Sequence, residues 1–62
     1  MDNATIHNLT EAHNKLRHMM ATIVIMQEHE EVPSINEQLD NAYYALEEAR
    51  SKVEEMLGIE EE

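Results

Sequence analysis

The sequence predicts an all-α fold: an antiparallel helical hairpin of two long helices, dimerising into a four-helix bundle. Three observations predict it. Apolar residues recur at alternating intervals of three and four in both halves of the chain, which is the spacing of a helix seam. A single proline, Pro33, stands between the halves. An octet at 19–26, Met-Met-Ala-Thr-Ile-Val-Ile-Met, is apolar on nearly every side. One partner helix cannot cover such a segment.

The first helix is expected over about 4–30. Its seam reads Ile6, Leu9, His13, Leu16, Met20, Ile23 and Gln27. A turn at about 31–34 follows the polar run ending at Glu31. Pro33 stops the first helix there, and Ser34-Ile35-Asn36-Glu37 fits a capping box opening the second. That second helix, about 35–57, carries the seam Ile35, Leu39, Ala42, Leu46, Ala49, Val53 and Met56. Gly58 suits the left-handed residue after a helix, with Ile59 folding back toward Val53. The acidic residues of 58–62 form a frayed tail, and 1–62 makes one domain. Two helices of roughly 25 residues would each be about 37 Å long. Folding at Pro33 brings Ile6 near Leu57, Leu16 near Ala49 and Leu46, and Ile23 near Leu39 and Ala42. Glu11 with Lys15 and Glu48 with Lys52 are favourable i, i+4 pairs, each adding a few tenths of a kcal/mol.

Size points to association. A chain of 62 residues buries too little surface to be robust alone. With no cysteine, neither disulfides nor thiolate metal sites can help it. The dimer interface is therefore expected on the octet, at Met19, Met20, Ile23, Val24, Ile25 and Met26.

Fourteen acidic against four basic residues give a formal charge of −10. That opposes binding to nucleic acid and to anionic membranes. With no Trp or Phe and two Tyr, stacking on bases is poorly supplied. The N-terminus has no basic, then apolar, leader pattern, and the octet is too short to span a bilayer. These features suggest a cytoplasmic protein.

Catalysis has little to work with. No serine or threonine sits in a nucleophile motif, and one glycine cannot make a phosphate loop. No cofactor is implied. Histidines 7, 18 and 29 share a helix face but are about 16 Å apart along it, too far for one metal ion. His13 differs because it lies in the seam. It is a candidate pH sensor whose protonation would loosen the assembly between roughly pH 7 and pH 5. The plainer expectation is a partly exposed histidine at the open end of the bundle. On the second helix, Glu37, Asp40, Glu47, Glu48, Glu54 and Glu55 are expected on the outer face. Tyr44 points outward as a candidate binding anchor, and Ile25 is a candidate rim contact for a partner.

The outline resembles the Rop-type plasmid copy-number regulators, which are hairpins dimerising into four-helix bundles. The likeness is one of architecture, without a shared residue motif. Those proteins bind RNA, which the acidity here argues against. The function expected is that of a small acidic, non-catalytic regulator, inhibitor or adaptor that acts as a homodimer and binds another protein, for which a basic partner suits the charge. By analogy with compact acidic binding proteins, a phage or mobile-element origin fits. The alternatives are a DNA mimic that occupies a nucleic-acid-binding protein, and a histidine-based metal-binding or pH-sensing bundle. If the octet alone forms the interface, Val24→Glu or Ile25→Glu should split the dimer, and an unchanged mass by light scattering would count against that placement.

Overall fold

A computed structural model describes residues 2–58. Helix α1 spans Asn3–His29 and helix α2 spans Pro33–Leu57. The two pack against each other as an antiparallel hairpin, and the described residues include no strand.

Each helix end has an identifiable cause. Asp2 caps α1: its Oδ1 accepts the Thr5 backbone N–H at 2.8 Å, satisfying one amide that the first turn leaves open. The link is residues 30–32, and three hydrogen bonds fasten it. The Glu30 N–H donates to the Gln27 carbonyl at 3.4 Å. The Glu30 carboxylate accepts the Val32 N–H at 3.1 Å. Asn36 Nδ2 returns from α2 to the Glu30 carbonyl at 3.2 Å.

The capping box expected at Ser34 does not form. Val32 is the cap residue, without a side-chain hydrogen bond, and Pro33 is already the first helical residue. Proline's fixed φ suits that position, and its missing N–H costs nothing there. Pro33 thus opens α2 instead of standing outside it, and Ser34 falls one turn position too late to cap. At the far end Gly58 has φ 78° and ψ 18°, the left-handed conformation expected of it. Its N–H reaches back to the carbonyls of Glu54 and Glu55. The contact expected between Ile59 and Val53, and the tail at 59–62, lie outside the described residues.

From Leu9 onward the α1 seam agrees with the heptad spacing: Leu9, His13, Leu16, Met20, Ile23 and Gln27 are all buried or half-buried. Ile6, expected to open the seam, is exposed instead. The α2 seam is turned by about one residue. It reads Asn36, Leu39, Tyr43, Leu46, Arg50, Val53 and Leu57, while Ile35, Ala42 and Met56 are exposed. Covering the Tyr43 ring removes far more apolar surface from water than covering the Ala42 methyl. The turned seam also lets Asn36 and Glu54 meet polar partners around α1 and its end. Large side chains therefore face large ones, not alanines. Of the described residues only Met20 and Ile23 count as buried, at 4% and 9% exposure.

The cap at Asp2 yields a pH prediction. The Thr5 backbone N–H, and then its hydroxyl, hold the Asp2 carboxyl below the ordinary aspartate value. A depressed value in the folded state means the cap's contribution is present at neutral pH and is lost as pH falls through that value. The Thr5 amide resonance should therefore move in NMR titration below about pH 4. Asp2→Asn, which keeps an acceptor and takes up no proton, should abolish that movement.

Candidate interaction surfaces

Two helices in contact form a slab one helix thick, so the slab has two broad flanks as well as the backs of its helices. The flanks differ chemically. At about 100° per residue, helix position and seam together fix which flank each side chain joins. Antiparallel helices turn in opposite senses when viewed along one direction. Residues displaced the same way from both seams therefore share a flank.

One flank is polar and stitched. His13 Nε2 lies 2.8 Å from Glu54 Oε2 across the two helices. A carboxylate only accepts, so the ring nitrogen facing it carries the proton. The two side chains are 15% and 12% exposed. Arg50 Nε lies 3.9 Å from the same oxygen, one turn earlier on α2. Nearer the link, Gln27 Nε2 donates to Asp40 Oδ1 at 2.6 Å and approaches the Asn36 carbonyl at 3.5 Å. His13, Glu54, Gln27 and Asp40 all lie on or toward this flank.

The opposite flank is apolar. From α1 it takes Met19 and Met26, and from α2 Ile35, Ala42, Ala45 and Met56, all exposed. The hydrogen bonds that join His13 to Glu54, and Gln27 to Asp40 and the Asn36 carbonyl, lie elsewhere.

The octet is thus distributed in four directions. Met20 and Ile23 are consumed in the seam. Met19 and Met26 lie on the apolar flank. Val24 lies on the polar flank, and Ile25 faces away from α2 at 58% exposure. What sequence reasoning missed is the contribution of α2. The signal was present in Ile35, Ala42 and Met56, but it was absorbed into the expected seam.

The six carboxylates expected on the outer face of α2 also divide. Glu37, Glu47, Glu48 and Glu55 are exposed, as is Tyr44 at 65%. Asp40 is exposed but engaged by Gln27, and Glu54 is turned inward to His13. The correction has a simple cause: Glu54 sits beside Arg50 and Val53 on the true seam, not on the back. Tyr44 packs edge-on to Tyr43, with ring centroids 6.1 Å apart and planes at 86°. Such pairing orients the exposed ring.

The remaining histidines are separate. His7 approaches Glu11 at 3.5 Å on the surface, and Lys15 reaches the other oxygen of that carboxylate at 3.3 Å. The pair expected between Glu48 and Lys52 is not formed among the described residues. No group of three or more His, Asp or Glu side chains there could hold a metal ion. An open depression lined by Glu11, Asn14, Lys15, His18 and Met19 belongs to α1 alone and has no opposing wall. None of the described helices is long and apolar enough to cross a membrane.

Comparison with known proteins identifies no relative: no family model, no curated protein and no solved structure matches the chain.

The stitched flank can be tested by a double-mutant cycle. His13→Ala and Glu54→Ala should show a coupling of about 0.5–3 kcal/mol in urea unfolding. Additive losses would mean that the 2.8 Å contact contributes nothing of its own.

Proposed function

We propose that this chain is a small acidic, non-catalytic protein-binding regulator that works as a homodimer, with two hairpins stacked into a four-helix bundle. The observation that carries the dimer is how little the hairpin hides. Two buried side chains cannot balance the conformational entropy of ordering two helices of 27 and 25 residues. Several large apolar side chains stay wet instead, among them Met19, Met26, Ile35 and Met56.

The area argument points the same way. One hairpin exposes 4909 Å². A compact particle of twice its mass would expose about 6,800 Å² by the size scaling of folded proteins. Joining two hairpins into such a particle would bury about 3,000 Å², within the range of obligate homodimers.

The regulatory reading rests on what remains outside such a dimer. Tyr44, Ile25 and the exposed carboxylates Glu37, Glu47, Glu48 and Glu55 lie away from the apolar flank. A rigid aromatic anchor ringed by negative charge fits a basic protein partner. The polyanion-mimic reading is weaker, because Asp40 and Glu54 are engaged by α1 and the remaining carboxylates are sparse.

Multi-angle light scattering at micromolar concentration should give twice the mass of the chain. A folded single copy would end the dimer reading. Tyr44→Ala, with the doubled mass retained, should release a captured basic partner. Capture unchanged by Tyr44→Ala would remove the back of α2 as the binding site, and capture unchanged by Ile25→Ala would remove the back of α1.

A further inference from the structure

The helical register assigns the contact between copies to one face. We propose that the second copy docks on the apolar flank built jointly by α1 and α2, centred on Met19, Met26, Ala42 and Ala45, and not on the outward side of α1 at Val24 and Ile25. The proposal rests on the dimer reading above and specifies where that dimer closes.

Three observations carry it. The first is charge. A chain of net charge −10 must bring a copy of itself close against strong repulsion. On this flank neither helix contributes a carboxylate between Met19 and Met26 or between Ile35 and Met56. The flank is rimmed instead by Lys15 and Lys52. The polar flank carries Asp40, Glu47 and Glu54, so two such flanks would set like charges against each other.

The second is the placement of hydrogen bonds. The polar flank pairs His13 with Glu54 and Gln27 with Asp40 across the hairpin, while Arg50 Nε there has no hydrogen-bond partner. Covering it would desolvate these groups with no new partner for them. On the apolar flank the cost is smaller: between Ile35 and Met56 its polar side chains are Gln38 and, at the rim, Lys52.

The third is shape and area. Alanines at 42 and 45 leave a shallow trough at mid-length of α2, flanked by the long side chains of Met19 and Met26. Small residues let helices approach closely, while methionine adapts its shape to fill what remains. The surplus of about 1,500 Å² per copy inferred from the size scaling requires a whole flank, because the outward side of one helix at Val24 and Ile25 is too narrow to supply it. The occupant is thus a second copy of this chain, related by a two-fold axis that brings the same patch to itself.

The test combines two kinds of variant. Ala45→Glu replaces the best helix former with another good one at an exposed position, so the hairpin itself loses little. It should halve the mass measured by light scattering or shift dissociation to at least tenfold higher concentration. Ile25→Glu should leave the mass doubled. Because a lone hairpin can unravel, thiol reactivity supplies a second readout that keeps the dimer intact. The chain has no cysteine, so Ala45→Cys and Ile25→Cys each introduce a single thiol. In the dimer, Ala45→Cys should alkylate at least tenfold more slowly than Ile25→Cys, and dilution should erase the difference. A doubled mass with both thiols equally reactive, or with Ile25→Cys the protected one, overturns this face and leaves the dimer standing. A single-copy mass for the unaltered chain instead overturns the dimer itself.

Discussion

Two rods touch along a line. That geometric fact governs this molecule more than any single contact. A third or fourth helix would convert the line into an enclosed core, but a hairpin can only shelter what lies on its axis of contact. Here that shelter extends fully to Met20 and Ile23, with Leu9, Leu16, Leu39, Leu46, Val53 and Leu57 half-covered around them. Everything else of apolar character is displaced to a flank or a back. The flanks and backs are the surfaces that the hairpin leaves open to other molecules.

The hairpin handles its two flanks differently. On one, long-range pairs join α1 to α2 through polar atoms, with His13 and Glu54 toward the open end and Gln27 and Asp40 toward the link. Hydrogen bonds between neutral or singly charged side chains add modest net stability, yet they penalise any other register because each broken pair leaves a half-buried group unsatisfied. On the other flank apolar side chains predominate, with Gln38 among them and Lys15 and Lys52 at the rim. One side of the slab therefore sets how the helices align, and the other is available for association.

The fold was legible from the sequence because its strongest signals are local. Alternating threes and fours, one proline and one glycine define two helices and their ends within a residue or two. The finer geometry was not legible, for identifiable reasons. Ser34 looked like a cap because its motif is a good one, but Pro33 in front of it starts the helix first. The α2 seam was drawn through Ile35, Ala42 and Met56 because they are apolar. The chain instead covers Tyr43 and Leu57 and accepts Asn36, Arg50 and Glu54 at the edges. Periodicity gives the pitch of a stripe, whereas its rotation about the helix depends on side chains across the way. Glu54 was misplaced for the same reason, since its partner His13 is 41 residues distant.

The link at 30–32 has a kinetic meaning. Three residues, pinned by Glu30 and Asn36, keep the facing ends of the two helices at high local concentration. Closing so short a loop costs little entropy, and helix growth and loop closure are complete within about a microsecond. A turn this short favours contacts beside it, such as Gln27 with Asp40, over the distant pair of His13 with Glu54. The hairpin should thus close far faster than two molecules at cellular dilution can collide.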